Sequence, residues 1–497
     1  MQHTNKEYEA FEPVLLAGVQ LDGDSDRNFQ YSMDELGRLC EACFMEPVGT
    51  VTQKLRIKNS ALYVGPGKLE EIKLAVEANG AGLVVFNDTL SPAQLRNLQD
   101  ALGTAVMDRT ALILEIFRKR ARSREARLQV ELASLEYLKP RLVGMYDALT
   151  RQGGTSGSMS NRGAGETKLE LDRRRMDHRL TELRRELREL SSERDVQRRQ
   201  RRKSGLPVAA LVGYTNAGKS TIMNAMVDRF VRDDSRKVFE ADMLFATLDT
   251  AVRRVELGNN RNFLLSDTVG FINKLPTGLV EAFKSTLEEI CEADLILHVV
   301  DRSDPLYREQ METTERTLAE LGAGNIPEII IYNKIDRLNA DAELNLEDSY
   351  AALPYTVDDN GSPEHPELIK NEKIRKQELD AKVLNVDFRR HRIAEKLDYP
   401  RRGERSVGVD GHLRDTVYIS AVDADSVKLL TELIIEHFSA GKKEAELLIP
   451  YEHGAAVSYL QSNAEIIAAE YLESGTFMKI RCEEADLNRF DRFIIKK

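Results

Sequence analysis

Residues 208–220 decide the fold: they read Val-Ala-Ala-Leu-Val-Gly-Tyr-Thr-Asn-Ala-Gly-Lys-Ser. The apolar run 208–212 predicts a buried strand, and the pattern after Ser220, Thr-Ile-Met-Asn-Ala-Met, predicts a helix. The loop between them matches G-x-x-x-x-G-K-[ST], the pattern of a phosphate-binding loop. Strand, loop and helix in this order predict a site where backbone N–H groups surround nucleotide phosphates.

Individual residue types in this loop suit particular tasks. Lys219 is expected to reach the β- and γ-phosphates, and the Ser220 hydroxyl is expected to ligate Mg²⁺. The flanking strand and helix disfavour a chance match of the motif. We therefore predict that a nucleotide is held by Gly213, Tyr214, Thr215, Asn216, Ala217, Gly218, Lys219, Ser220 and Thr221.

A second motif follows a second buried strand. In Leu-Leu-Ser-Asp-Thr-Val-Gly, residues 264–270, Asp267 stands at the strand end and Gly270 follows three residues later. Asp267 can hold Mg²⁺ through water, and the Gly270 N–H can bond the γ-phosphate and so sense its presence. This motif is weak alone but strong after a phosphate loop.

The identity of the nucleotide base is predicted from Ile-Ile-Ile-Tyr-Asn-Lys-Ile-Asp, residues 329–336. The Asp336 carboxylate can accept from N1–H and from the 2-amino group of guanine, a donor pair that adenine lacks. Asn333 is predicted to steady the loop, and Lys334 to lie over the ring. Ser420 and Ala421 end another strand, where a backbone N–H suits guanine O6. The predicted ligands are therefore GTP and GDP.

The chain predicts an α/β multi-domain protein. Its nucleotide domain is expected to have a mostly parallel sheet with helices on both faces, because strand and helix patterns alternate. Leucines at helical spacing predict a long antiparallel helical hairpin with a glycine-rich, non-helical tip from Gly153 to Thr167. Two strand patterns and two helices predict a C-terminal α+β module. The predicted units are 1–117 (small α/β), 118–203 (hairpin), 207–440 (nucleotide domain, with an insertion at about 338–415, partly helical at 368–397) and 445–497.

Composition limits the partners and the location of the protein. Net charge is −11, yet residues 118–203 hold 24 basic and 13 acidic side chains, so one basic region could face a polyanion. Apolar runs are too short to span a bilayer and no export signal starts the chain, so we expect a cytoplasmic protein. Cys40 and Cys43 are predicted to be buried structural thiols on a helix face, and His298 a core histidine.

Further motifs indicate a particular family of GTPases. Residues 64–72 (Val-Gly-Pro-Gly-Lys-Leu-Glu-Glu-Ile), 86–98, 107–110 (Met-Asp-Arg-Thr) and especially 161–174 (Asn-Arg-Gly-Ala-Gly-Glu-Thr-Lys-Leu-Glu-Leu-Asp-Arg-Arg) resemble the HflX family. The resemblance covers nearly the whole chain apart from the insertion. It implies a GTPase that attaches to the large ribosomal subunit and its RNA, splits stalled or idle ribosomes and acts in stress recovery.

The resemblance also implies residue roles. The family's switch threonine falls on Thr247, where it would ligate Mg²⁺ in the GTP state, so Lys219, Thr247 and Gly270 form the expected catalytic set. Phe271 stands where many GTPases place a water-orienting glutamine, which implies slow basal hydrolysis. Asn216 either helps to hold a potassium ion or is simply a favourable loop residue. The stretch after Ser420–Ala421 lacks the family's usual glycine.

Two other hypotheses about the function remain open. The first is a nucleotide-dependent RNA remodelling factor, with the 153–167 loop as part of a second nucleotide site that binds ATP. The second is a structural binding module with a degenerate GTPase domain, which the intact Lys219, Asp267 and Asp336 disfavour.

Overall fold

A computed structural model describes residues 12–152, 160–203, 205–230, 245, 251–258, 261–273, 284–338, 400–403, 406–407 and 413–495. The N-terminal part is a four-stranded parallel sheet with the order β2-β1-β3-β4. As predicted, strands and helices alternate along it. Its elements are β1 (Glu12–Leu21), α1 (Asp26–Ala42), β2 (Met45–Leu55), α2 (Pro66–Asn79), β3 (Leu83–Phe86), α3 (Pro92–Leu102), β4 (Ala105–Asp108) and α4 (Arg109–Arg120).

Helices cover both faces of this sheet. Residues of α2 and α3 pack on one face, and residues of α1 and α4 pack on the other. Cys40 lies in α1 and Cys43 at its C-cap, and both are buried free thiols. Burial raises the pKa of each thiol. The prediction of structural cysteines is confirmed.

The predicted helical hairpin forms an arm of two helices, α5 (Arg124–Gln152) and α6 (Ser160–Lys203). The two helices run antiparallel, since Glu125 pairs with Arg194 near one end and Lys139 with Asp177 further along, at 2.5 Å. The predicted leucine seam is confirmed: Leu128 and Leu132 are buried with residues of α6, namely Leu180 and Leu183, flanked by Leu187 and Leu190.

The prediction of a non-helical tip from Gly153 to Thr167 is wrong for its second part. The backbone of α6 is helical from Ser160 onward, through Gly163 and Gly165. A glycine costs a helix only about 1 kcal/mol, and a 44-residue helix with a packed seam tolerates two of them. Residues 153–159 lie outside the described part of the chain. At 1.5 Å per residue, α6 is about 66 Å long.

The central sheet has the strand order β10-β12-β9-β8-β5-β7-β6, with β11 beside β12. Its neighbours pair in parallel except for the edge strands β6, β10 and β11. Helices α7 and α10 pack on one face, while α8 and α9 pack on the other. Its elements are β5 (Val208–Gly213), α7 (Lys219–Phe230), β6 (Ala251–Glu256), β7 (Asn262–Asp267), α8 (Lys284–Cys291), β8 (Leu295–Asp301), α9 (Tyr307–Leu321), β9 (Glu328–Asn333), β10 (Arg401–Arg402), β11 (Ser406–Val407), β12 (Leu413–Tyr418) and α10 (Ala424–Ser439).

The predicted C-terminal end of the insertion, at about residue 415, lies beyond the point where the sheet resumes. β12 begins at Leu413 and pairs with β9, and β10 (Arg401–Arg402) already pairs with β12, so both lie in the sheet although the predicted insertion includes them. Residues 339–399, including the helix predicted at 368–397, lie outside the described residues. The α/β multi-domain class with a mostly parallel central sheet is confirmed.

The C-terminal unit is a three-stranded antiparallel sheet in the order β13-β15-β14, one strand more than predicted. The elements are β13 (Lys443–Ile449), α11 (Gly454–Asn463), β14 (Glu465–Leu472), β15 (Gly475–Cys482) and α12 (Glu484–Arg489). Within the described ranges, every helix is too short or too polar to cross a membrane.

Candidate functional site: a guanine nucleotide site at the sheet edge

The phosphate loop joins β5 to the first turn of α7, as predicted. The N-terminus of α7 lies at this loop, and the N-terminal end of a helix favours bound anions. Gly218 has φ +99°, and a Cβ there would lie 2.2 Å from the Asn333 side-chain nitrogen. Only glycine therefore fits at this position. The loop can close around phosphates while touching the base-reading segment.

Lys219 is buried inside the loop, where it is expected to meet the phosphates. Its ammonium donates to the carbonyl oxygens of Gly213 at 3.0 Å and Tyr214 at 2.7 Å. Burial lowers its pKa to about 8, with Lys334 contributing in the same direction, while Asp267 opposes the shift. An anionic ligand would raise this pKa again, because an opposite charge stabilises the protonated form.

Ser220 and Asp267 supply oxygen ligands suited to Mg²⁺. The Ser220 hydroxyl donates to Asp267 Oδ2 at 2.8 Å, and Asp267 is fully buried at the end of β7. Hard oxygen donors of this kind fit Mg²⁺, which binds through few protein groups and keeps several waters. Thr247, the other predicted magnesium ligand, lies outside the described residues. Within those residues, there is no cluster of three or more metal-binding side chains.

The Asn333 side chain connects three loops. Its amide nitrogen donates to the Ala217 carbonyl at 2.9 Å, and its oxygen accepts from the Ala421 N–H at 2.9 Å. The side chain is fully buried. Asn333 therefore steadies the base-reading loop against the phosphate loop, in the role the sequence predicted.

Lys334 is held by an acidic residue that the sequence analysis missed. Its ammonium donates to Asp301 Oδ2 at 2.8 Å and to the Asn216 carbonyl at 2.6 Å. Asp301 ends β8 at the same sheet edge as Asp267 and Asn333, and that position was the available signal. The paired ammonium keeps the lysine stem beside the phosphate loop.

Ser420 acts through its side chain. Its hydroxyl donates to Asp336 Oδ1 at 2.6 Å and orients the carboxylate expected to read guanine. The N–H groups of Ser420 and Ala421 already bond within the protein, and a contact of one of them with guanine O6 stays a prediction. Ser420 N–H donates to Ser426 Oγ at 3.1 Å, and Ala421 N–H is used by Asn333. The buried Asn333 oxygen requires such a donor.

Two aromatic side chains near the phosphates point away from them. Phe271 is buried in the core shared with the N-terminal unit, where it cannot orient a water molecule. The Tyr214 side chain is buried at the same boundary, where its hydroxyl bonds Glu35. His298, predicted as a core histidine, is buried and lies 2.7 Å from Glu328 Oε1. That prediction is confirmed.

A phosphate loop, an Asp-x-x-Gly segment and an Asn-Lys-x-Asp loop meet at one edge of a mostly parallel sheet. Together they define a P-loop GTPase. Three family models match the chain: a GTP-binding GTPase N-terminal model at residues 30–118, a GTP-binding GTPase middle region at 120–201, and a 50S ribosome-binding GTPase model at 208–334.

Curated relatives specify the family. GTPase HflX of Caldanaerobacter subterraneus is 46% identical over 70% of this chain and 78% of its own length. GTPase HflX of Gluconacetobacter diazotrophicus is 34% identical over 96% of this chain and 97% of its own. A solved GTP-binding protein from Sulfolobus solfataricus in complex with GDP is 23% identical over 68% of this chain and 89% of that one, with a TM-score of 0.36. The chain belongs to the HflX GTPase family and hydrolyses GTP.

Proposed function

We propose that this protein attaches to the large ribosomal subunit in its GTP state and splits or rescues stalled or idle ribosomes under stress. One observation carries the proposal: a guanine nucleotide site and a long basic two-helix arm lie on the same chain. The family model over the GTPase domain, described as a 50S ribosome-binding GTPase, points to the same partner. Ribosomes also make the cytoplasm the expected compartment.

The arm has the charge and reach for ribosomal RNA. Residues 118–203 carry an excess of 11 positive charges, while the rest of the chain is acidic. On α6, the arginines Arg173, Arg185 and Arg188 are exposed. Arginine side chains pair well with phosphates, and the acidic remainder would be repelled by RNA. The arm would therefore enter the RNA while the other domains stay outside.

The nucleotide site would control this attachment. Lys219 and the Gly270 N–H would bind the γ-phosphate, Ser220 and Thr247 would hold the magnesium ion, and Asp336 would select guanine. When bound, Mg²⁺ neutralises charge on the β- and γ-phosphates. Loss of the γ-phosphate would remove the contact to Gly270, so hydrolysis would favour release from the ribosome.

Hydrolysis would depend on groups other than the Phe271 side chain. The buried phenyl ring has no polar atom for the attacking water. We propose that the ribosome orders the switch segments and that a potassium ion near Asn216 adds positive charge during phosphoryl transfer. Basal turnover would then be slow and turnover on ribosomes faster.

Sedimentation with purified ribosomal subunits tests the proposal. We expect the protein to pellet with the large subunit in a non-hydrolysable GTP analogue, and much less with GDP or without nucleotide. Neutralising Arg173, Arg185 and Arg188 to glutamine should weaken pelleting, whereas neutralising Lys443, Lys442 and Lys428, outside the arm, is the matched control. Equal pelleting in all nucleotide states would contradict nucleotide control.

A further inference from the structure

The N-terminal unit and the GTPase domain share one apolar core. Residues of α1 and α4, among them Leu36 and Phe117, are buried in the same cluster as Tyr214 and Phe271 of the GTPase domain. Phe245, two residues before Thr247, also joins this cluster, and its ring meets Phe117 edge to face at 4.6 Å. Segments near the nucleotide are thus packed against the N-terminal unit.

A buried polar cluster lies within this shared boundary. Glu35 of α1 and Arg109 of α4 form an ion pair, and both side chains are 2% exposed. The Tyr214 hydroxyl donates to Glu35 Oε1 at 2.5 Å and accepts from the Asn273 N–H at 2.7 Å. Arg109 also donates to the Asn273 carbonyl at 3.3 Å. Both backbone polar groups of Asn273 therefore bond to this cluster.

Each member of the cluster is committed to its partners. Burial, followed by the neighbouring Glu35 carboxylate, raises the pKa of Tyr214 well above its usual range, so its hydroxyl stays a donor. A buried ion pair gains little net stability over an apolar replacement, but leaving one partner alone is strongly unfavourable. Such a pair is best suited to fixing geometry. The geometry fixed here is that of the backbone just after Gly270.

The segment so held lies directly on the phosphate loop. The Thr215 N–H donates to the Phe271 carbonyl at 2.8 Å, and the Phe271 N–H donates to the Gly213 carbonyl at 3.1 Å. A Cβ on Gly270 would lie only 3.0 Å from the Lys219 ammonium. Gly270 thus sits close against the lysine that must reach the γ-phosphate.

Binding of a γ-phosphate between these two groups requires Gly270 to move away from Lys219, because the two lie in close contact. A γ-phosphate needs hydrogen bonds from both the Lys219 ammonium and the Gly270 N–H. Lys219 already donates to the Gly213 and Tyr214 carbonyls, and the chain at Gly270 is tied to the loop by Phe271. GDP lacks the γ-phosphate and therefore needs no space between Gly270 and Lys219. Contacts that hold this segment in place should therefore disfavour GTP relative to GDP.

We propose that Glu35 is a positioning residue, which acts through Tyr214 and Arg109 to hold the Gly270–Asn273 segment in the arrangement that favours GDP over GTP. The N-terminal unit thereby sets the nucleotide preference of a domain more than 170 residues further along the chain.

The cluster also reaches the base of the arm. Asp108, next to Arg109, caps α4 by accepting from the Ala111 N–H at 2.8 Å. The same carboxylate accepts from the Tyr137 hydroxyl at 2.9 Å and from Arg141 at 3.2 Å, both on α5. Adjacent residues at the start of α4 therefore bond the switch segment and the arm. By linkage, anything that shifts α4 through the arm would change GTP affinity, and the reverse.

Removing one hydroxyl tests the proposal with little risk to folding. Tyr214→Phe keeps the ring and the loop backbone but breaks the bonds to Glu35 and Asn273. Tyr31→Phe is the matched control, because its hydroxyl bonds Asp304 at 2.9 Å and Gln310 at 2.5 Å across the same domain boundary without contacting the phosphate loop or Asn273. Melting temperatures of both variants verify that they are folded.

The readout is the ratio of dissociation constants for GDP and a non-hydrolysable GTP analogue, measured with fluorescent nucleotides. Contacts shared by both nucleotides cancel in this ratio, so a general loss of loop structure does not move it. We expect Tyr214→Phe to shift the ratio toward the GTP analogue about fivefold or more, the scale of one lost hydrogen bond. Tyr31→Phe should stay within twofold of wild type.

Hydrogen exchange provides the second readout. The Asn273 amide should exchange faster in Tyr214→Phe and at the wild-type rate in Tyr31→Phe. An unchanged ratio in folded Tyr214→Phe, a shift toward GDP, or an equal shift in both variants would overturn the proposal.

Discussion

The Asn333 amide nitrogen donates to the Ala217 carbonyl at 2.9 Å, across 116 residues of sequence. This bond joins the loop predicted to read the base to the loop predicted to hold the phosphates. The same side chain accepts from Ala421, so three loops meet on one buried amide. The two ends of the nucleotide site are therefore fixed relative to each other before a nucleotide arrives.

Replacing Asn333 by alanine should weaken the binding of every nucleotide. The change leaves the Ala217 carbonyl and the Ala421 N–H without this partner, which costs about 2 kcal/mol. We expect GDP affinity to fall at least tenfold and the melting temperature to drop. Asn463→Ala, at an exposed residue on α11, is the control. Wild-type GDP affinity in Asn333→Ala would refute this role.

Replacing Asp336 by asparagine should change the base rather than the overall affinity for nucleotides. The amide can donate to the 2-oxo group of xanthine but no longer accepts from both guanine donors. We expect GTP binding to weaken by a few kcal/mol and XTP binding to improve, as measured by competition against a fluorescent nucleotide. Unchanged GTP binding would remove Asp336 from the base site.

Nucleotide binding should depend on pH above about 8. The lowered pKa of Lys219 means that the folded, nucleotide-free protein loses this proton at about 8, whereas an unfolded chain keeps it to about 10.5. Binding of a phosphate restores the proton, so GDP affinity should fall up to tenfold per pH unit between these values. By the same linkage, the nucleotide-free fold gains stability as pH rises through this window.

Isothermal titration in buffers of different ionisation enthalpy measures this proton uptake directly. The uptake at pH 9 should approach one proton in wild type and vanish in Lys219→Gln. No uptake in wild type would show that Lys219 remains charged before the nucleotide binds.

The sequence predicted the motif-bearing loops because each motif follows a strand whose carboxyl end lies at one sheet edge. Asp267, Asn333 and Gly218 could be placed in this way. The Glu35–Arg109 pair could not, because charged residues on helices usually face solvent and their partners lie far along the chain.

Local sequence patterns do not predict the features of the structure that tertiary contacts determine. The glycines of residues 160–167 suggested a loop, but the long packed helix overrides their weak preference. The sequence did not predict that the backbone N–H of Ala421 donates to the buried Asn333 oxygen. The side chain of Tyr214 leaves the site because the shared core and Glu35 offer it an apolar wall and an acceptor.

Hydrolysis should depend on the identity of the monovalent cation. A potassium ion near Asn216 would stabilise developing charge on the phosphates, and Phe271 supplies no substitute. We expect exchange of potassium for sodium to slow GTP turnover in wild type but not in Asn216→Ala. Release of inorganic phosphate measures the turnover. Equal rates in both salts would remove the potassium ion and leave stimulation by the ribosome.

In the function we propose, the GTP state uses the arm to separate ribosomal subunits. Light scattering of intact ribosomes tests it most directly, since splitting lowers the signal. We predict a fall with wild-type protein in a GTP analogue, little change in GDP, and no fall when Gly153–Gly165 is shortened to a four-residue turn. That variant should keep wild-type GDP affinity, because Lys219 and Asp336 lie in another domain. Full splitting by the shortened protein, or by wild type in GDP, would contradict the account.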